Sequence, residues 1–192
     1  MTQSSIRVCL LTLTVLSLLT GCADSSRLRD RFSGEQLITP YYADLDNWST
    51  EDRTGPGFSE RVWRSPNNEK IDAYAITVTY LKSSSLAQMR AQADRVGEQA
   101  CDEFSSERLT FPNKSLFPLL YWQTACENKH TVSKLLHLMI EGNEATYYLQ
   151  KSWQMDINAE ELLRWKQRFE SVYLCDNRLQ VDSCPAIRRT LD

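Results

Sequence analysis

The clearest alternation of large and small side chains along the chain lies in residues 71–81. Tyr74, Ile76, Val78 and Tyr80 occupy every second position, and smaller residues stand between them. A period of two residues is typical of a β-strand whose two faces have different surroundings. We therefore predict a strand here, with its larger face packed against the helix that follows it in the sequence.

A helix is predicted directly after this strand. Ser85 is placed to cap its first turn, and Gln88 stands at the position that completes a capping box. Apolar residues then recur every three or four positions, as expected for a helix with one buried stripe. The stripe consists of Leu86, Met89, Ala93, Val96, Ala100 and Phe104.

Further strands are predicted in the middle of the chain. Residues 109–111 form a short one that ends at Pro112, and residues 119–126 form a longer one. Residues 132–141 and 145–153 flank Gly142 and Asn143, which tolerate the positive φ angles of tight hairpin turns. The sequence therefore predicts a β-hairpin at this position.

The last predicted helix covers residues 159–174. Asn158 caps it, and Glu161 stands where a capping box requires an acceptor. Its core-facing residues are Leu162, Trp165, Phe169, Val172 and Tyr173. Residues 36–68, in contrast, contain several proline and glycine turn signals, so only one or two short strands are expected there.

This order of elements indicates a single α+β domain over residues 36–192. Strands joined by tight turns pair in antiparallel fashion, so we predict an antiparallel sheet of about four to six strands packed against two main helices, with a disulfide fixing the C-terminus. The element order is similar to that of the Mog1/PsbP-like α+β fold, which some bacterial lipoproteins use. The resemblance implies the fold and carries no site residues.

An apolar run over residues 8–19 follows Arg7 at the N-terminus. About a dozen residues are too few to span a bilayer, which takes about 20. The small residues Thr20 and Gly21 follow the run, as they do in a secretory signal peptide. We therefore predict a signal peptide over residues 1–21 and no transmembrane helix in the mature chain.

The segment Leu19-Thr20-Gly21-Cys22 resembles the bacterial lipobox at all four positions. The resemblance implies that Cys22 becomes the first residue of the mature protein and carries the lipid. The residues that follow are polar with alternating charges, so we predict that residues 22–35 form a tether. Because Ala23 follows Cys22 rather than aspartate, it also implies an outer-membrane location facing the periplasm. An ordinary secretory signal with a chance cysteine is the alternative.

The cysteines agree with an exported protein. Of the 6 cysteines, Cys9 belongs to the signal peptide and Cys22 to the lipobox. Four remain, and an even number in an exported chain indicates disulfides, although the sequence allows three connectivities. We expect the two local pairs, Cys101–Cys126 and Cys175–Cys184. A zinc site is the competing interpretation, but the chain has no C-x-x-C pair to support it.

The net charge and the lack of common catalytic motifs limit the classes of function that the sequence supports. Without the signal peptide, 21 basic residues remain against 25 acidic ones, which argues against nucleic acid as a partner. The chain has no G-x-S-x-G, H-E-x-x-H or glycine-rich phosphate loop, and His130 and His137 are read as structural. We therefore expect neither an enzyme nor a cofactor or metal ion. A small periplasmic hydrolase acting on envelope material is the alternative, since paired carboxylates can be distant in sequence.

The aromatic residues carry the functional prediction. Tyr41, Tyr42, Trp48 and Tyr148 are candidates for a surface that binds a partner, although core packing would also explain them. The expected role is a lipid-anchored, protein-binding component of the envelope. It would be an accessory subunit of an envelope or secretion assembly, or an immunity lipoprotein against a periplasmic toxin.

Overall fold

Seven antiparallel strands form the central sheet of the protein. The computed structural model describes residues 34–66, 72–80, 82–154, 157–179 and Cys184, all within the unit Phe32–Asp192. The predicted signal peptide, the lipobox and all but the last two residues of the predicted tether lie outside the described residues. No helix in the described part of the chain is long and apolar enough to cross a membrane.

The chain forms nine strands, one 3₁₀ turn and two α-helices over the described residues. In chain order they are β1 (Glu35–Ile38), a 3₁₀ turn (Ala43–Asn47), β2 (Ser49–Gly55), β3 (Phe58–Arg64), β4 (Asp72–Thr79), α1 (Leu86–Ala100), β5 (Glu103–Arg108), β6 (Leu119–Asn128), β7 (Thr131–Glu141), β8 (Thr146–Trp153), α2 (Ala159–Glu170) and β9 (Tyr173–Asp176). The main sheet has the order β2-β3-β4-β8-β7-β6-β5, and β1 pairs with β9 in a separate two-stranded sheet.

The α+β class and the antiparallel pairing are confirmed, but the sheet is larger than the four to six strands predicted. The difference lies in residues 36–68, where β2 and β3 each extend over seven residues. Exposed charged residues of β2, such as Glu51, Asp52 and Arg53, hide the strand pattern. An edge strand tolerates such residues because it has solvent on one side, and charges there also discourage pairing with other chains.

Helix α1 begins as predicted and ends earlier. The complete Ser85–Gln88 capping box is present. The helix stops at Ala100, and Phe104 lies in β5 rather than on the helix. Val96 is 65% exposed, so the buried stripe is shorter than the sequence suggested. The strand predicted at 109–111 is also wrong. Strand β5 ends at Arg108, before these residues, and the next strand begins at Leu119.

The two helices cover opposite faces of the sheet. Trp122 and Met139 pack beneath α1, whereas Tyr74 packs against Trp165 and Phe169 of α2. The prediction that the Tyr74 face meets the next helix in sequence is therefore wrong. The cause is topological: β4 pairs with β8, which places it under α2, and α1 crosses to the other face to reach β5.

The β7–β8 hairpin is confirmed, but its turn differs from the prediction. Neither Gly142 nor Asn143 has a positive φ, and Gly57 alone does among the described residues, at 86° in the β2–β3 turn. The backbone N–H of Gly142 donates to the Ala145 carbonyl over 2.9 Å. A buried carboxylate, that of Glu35, then accepts the next three N–H groups of the turn. The turn is thus held by a distant side chain rather than by its own conformation.

The C-terminal part of the domain departs from the sequence prediction after Glu170. The helix ends there, and Tyr173 belongs to β9, which pairs with β1. Asn158 caps α2 as predicted, but the Glu161 carboxylate accepts from the indole N–H of Trp153 (3.2 Å). Because β1 begins at Glu35, the predicted tether overlaps the folded domain by one strand residue.

Both predicted disulfides are present. Cys101 at the end of α1 is bonded to Cys126 of β6, and Cys175 of β9 is bonded to Cys184. Each closes a short loop, with sequence separations of 25 and 9 residues. Loops of this size restrict the unfolded chain, which stabilises the fold by about 2–4 kcal/mol for an unstrained bond.

Candidate functional site

An aromatic cleft lies between the 3₁₀ turn and strands β3 and β4. Its volume is about 330 Å³. We use the name aromatic cleft for the site lined by Thr39, Pro40, Tyr41, Tyr42, Leu45, Asp46, Trp63, Tyr74 and Ile76. Two of the four residues predicted to bind a partner, Tyr41 and Tyr42, are therefore brought together here.

The rings of the cleft are fixed by contacts with one another. Trp63 and Tyr74 are cross-strand partners in β3 and β4, and their rings stack with centroids 5.1 Å apart. Tyr42 meets Tyr74 edge to face at 6.3 Å, and its hydroxyl donates to the Arg168 carbonyl over 3.2 Å. Aromatic pairs in these geometries are attractive beyond their buried area. The floor of the cleft is therefore rigid before anything binds.

Tyr41 is the exposed ring of the cleft. It is 76% exposed, whereas Tyr74 at the floor is 2% exposed. The Tyr41 hydroxyl donates to the Asp46 carboxylate, and this hydrogen bond raises the pKa of the Tyr41 phenol. An aromatic ring held in solvent by a charged hydrogen bond is available for contact with another molecule.

Charge in the cleft is confined to one carboxylate. Of the residues that line it, Asp46 alone is charged. Two neighbouring carboxylates are already paired: Asp44 accepts from Arg168 at 2.7 Å, and Asp52 accepts from Arg61 at 2.6 Å. The cleft therefore presents apolar rings and one negative group that bonds to a neutral phenol.

Two buried polar atoms beside the cleft lack a hydrogen-bond partner among the described residues. They are the Tyr74 hydroxyl and the Nη1 atom of Arg168. Burial raises the pKa of Tyr74, so its hydroxyl remains protonated and can donate. A buried polar atom without a partner is costly and is uncommon in folded proteins.

The other two predicted partner-binding residues lie elsewhere. Trp48 is half-buried, and its ring centroid is 5.2 Å from the buried ammonium of Lys151. Tyr148 is on the opposite face of the sheet, under α1, where its ring is stacked 6.0 Å from Trp122. The structure therefore does not place Tyr148 in one surface with Tyr41 and Tyr42.

Lys151 is a fully buried cation that sequence reasoning missed. Its ammonium contacts the Asp72 carboxylate and lies 4.4 Å from the ring centroid of Trp153 and 5.0 Å from that of Trp165. Burial lowers the pKa of Lys151 to about 7, and the Glu161 carboxylate acts in the opposite direction. The ion pair with Asp72 and the ring faces act against this lowering, because each favours the ammonium form. The sequence feature that indicates this buried cation is that Lys151 shares one face of its strand with the large apolar residues Leu149 and Trp153.

His137 belongs to a second buried polar group, beneath α1. Its Nδ1 lies 2.7 Å from the Tyr148 hydroxyl, and its Nε2 lies 3.1 Å from the Thr124 hydroxyl. A neutral imidazole satisfies both contacts, since one nitrogen accepts and the other donates. Burial lowers the pKa of His137 to about 4, so the ring is neutral near pH 7. This geometry agrees with the structural role predicted for His137.

Stability is expected to fall in mild acid because of His137. Its pKa in the folded state is below the unfolded value of 6.5, so the unfolded state takes up a proton first as the pH falls. The free energy of unfolding should decrease from about pH 6.5 to pH 4, by up to about 3 kcal/mol. Urea unfolding between pH 8 and pH 4 measures this slope.

Two histidine variants separate this effect from general acid unfolding. His137→Gln should flatten the pH dependence over the same interval, at some cost in stability. His130→Gln, which removes the exposed histidine of the β6–β7 turn, should leave the wild-type curve unchanged. An identical slope in His137→Gln and wild type would show that His137 is not the responsible group.

The described residues offer no metal centre. Within them, no group of three or more His, Cys, Asp or Glu side chains could hold a metal ion. The four cysteines considered for zinc are instead used in the two disulfides.

No protein-family model matches the sequence, and no curated protein matches it at a significant level.

Proposed function

We propose that this protein is a lipid-anchored, non-enzymatic component of the bacterial envelope that binds another protein through the aromatic cleft. The observation that carries the proposal is the exposed ring of Tyr41 above a preformed aromatic floor. Tyrosine and tryptophan dominate the energetics of protein interfaces, because they bury a large area at a small entropic cost.

The rigidity of the cleft supports a binding role. Tyr42 lies under the Arg168 guanidinium, whose central carbon is 4.6 Å from the ring centroid, and Tyr74 is packed against Trp63 and Trp165. A surface that is already ordered loses little side-chain entropy on binding, so more of the contact energy is available as affinity.

The disulfides and the lipobox support an envelope location. Disulfides form and persist in oxidising compartments such as the periplasm. A lipid at Cys22 would hold the domain at the membrane and raise its local concentration near a membrane-bound partner. Both roles considered for it, an accessory subunit and an immunity lipoprotein, need such a position.

Site-specific photo-crosslinking in intact cells tests the proposal. A crosslinking amino acid at Tyr41 should yield a discrete protein adduct. The same amino acid at Tyr173, a tyrosine of β9 that is 47% exposed and does not line the cleft, should not yield that adduct. The absence of an adduct at position 41, or the same adduct at both positions, would contradict a role of the cleft in partner binding.

A further inference from the structure

We propose that the aromatic cleft recognises an extended, proline-rich segment of the partner that carries a basic residue. This inference rests on the proposed function and names the chemistry of the bound segment. It follows from the aromatic lining of the cleft and from the single charged residue in that lining.

The arrangement of the rings suits proline better than a flat ligand. The face of Trp63 is occupied by Tyr74, and Tyr42 lies against the Arg168 guanidinium. The faces of these two rings are therefore already in contact with other side chains, and the exposed ring of Tyr41 completes an aromatic-lined groove. A polyproline II helix has compact apolar ridges that dock into aromatic-lined grooves, and it is already ordered before it binds.

The charge of the cleft selects a basic segment. Asp46 is the charged residue of the lining, and its carboxylate accepts a hydrogen bond from the neutral Tyr41 hydroxyl. The nearby carboxylates Asp44 and Asp52 already pair with arginines. An arginine or lysine of the ligand that reaches Asp46 adds a Coulombic attraction, while an acidic residue there is repelled.

A glycan is the competing ligand, and the geometry disfavours it. Sugar rings stack on open aromatic faces, and in the cleft Tyr41 alone is largely exposed. Tyr74 is 2% exposed, and Tyr42 and Trp63 are half-buried. One open ring face gives a sugar chain little area on which to stack.

Fluorescence anisotropy of labelled peptides measures the preference. The probe is a synthetic octaproline peptide with an arginine at each end, titrated with the full mature chain in detergent. Binding should weaken at least about tenfold in Tyr41→Ala, the effect of losing one interface anchor. Asp46→Asn should weaken it by about two- to fivefold, as expected for one exposed ion pair.

Matched controls identify the cleft as the site. Tyr173→Ala and Asp102→Asn change an exposed tyrosine and an exposed aspartate outside the cleft, and both should bind the probe as wild type does. Replacing the arginines of the probe by glutamates should reduce its binding to wild type but not to Asp46→Asn.

Other outcomes overturn the inference. Equal binding of a peptide with glycine in place of proline would exclude recognition of polyproline II. Tyr41-dependent binding of chitotetraose without binding of the peptide would show a glycan site. If the probe peptide does not bind but the crosslinker at Tyr41 captures a protein, the partner segment is not proline-rich and basic, and the proposed function stands. If both experiments fail, the cleft is not a docking site.

Discussion

Replacing Glu35 with alanine is expected to lower the free energy of unfolding by about 4 kcal/mol. The Glu35 side chain is 3% exposed, and its carboxylate accepts the backbone N–H groups of Asn143, Glu144 and Ala145, the latter two over 3.3 Å. The Tyr147 hydroxyl adds a fourth hydrogen bond of 3.1 Å. Alanine would leave two buried donors, the Ala145 N–H and the Tyr147 hydroxyl, without an acceptor, at about 1–3 kcal/mol for each group that water cannot reach.

This carboxylate also joins the first strand to the main sheet. β1 pairs with β9 rather than with the seven-stranded sheet, so Glu35 is a direct polar link between the two sheets. Gly142 makes the link possible, because a Cβ atom at that position would lie 2.3 Å from the carboxylate oxygen. Gly142→Ala is therefore expected to destabilise the same contact.

Chemical unfolding measures the Glu35 effect. Glu98→Ala, which removes an exposed carboxylate from α1, should change stability by less than about 0.5 kcal/mol. Glu35→Gln keeps the shape but presents an amide group to N–H donors, so it should also be clearly destabilised. A loss below about 1 kcal/mol in Glu35→Ala would show that the turn finds other acceptors and that Glu35 is not its anchor.

Cys22→Ser is expected to release essentially all of the protein from membranes. Each buried CH₂ of an attached lipid contributes about 0.8 kcal/mol, and stable anchoring requires more than one hydrophobic attachment. The mature chain has a net negative charge, so electrostatic attraction to anionic lipids does not replace the anchor. Cell fractionation followed by detection of the domain measures the change.

Two further chains complete that test. Cys9→Ser changes the cysteine of the predicted signal peptide and should leave the protein on the membrane. A chain with an ordinary cleavable secretory signal in place of residues 1–22 removes the lipidation site without leaving an uncleaved signal. If this chain remains fully membrane-bound, the anchor lies elsewhere; retention of Cys22→Ser together with release of this chain would show that the uncleaved signal holds the variant in the membrane.

Local patterns allowed the secondary structure to be predicted where one face of an element is buried. The capping box at Ser85 and the β7–β8 hairpin follow from short-range signals. The sequence left three disulfide connectivities open, and the structure has the two pairs local in sequence. The sheet size was underestimated because β2 lies at an edge, where charged residues replace the alternation that marks a buried strand.

The contacts that build the site could not be predicted because they join distant parts of the chain. The aromatic cleft requires β3 beside β4 and the 3₁₀ turn against α2, and no local pattern specifies either arrangement. Tyr41 and Tyr42 were singled out as exposed aromatic candidates, but Trp63 and Tyr74 contribute to the cleft only through sheet register. Glu35 falls within the predicted tether, because the backbone N–H groups that donate to its carboxylate lie more than 100 residues away in the sequence.

The central claim is that a lipid on Cys22 and two disulfides define an exported, membrane-held binding domain. Intact-mass spectrometry of the native protein, purified without reductant, tests it most directly. The expected species begins at Cys22, carries the added mass of its acyl chains and has no free thiol. A polypeptide that begins at Met1 with an unmodified Cys22 would contradict the claim.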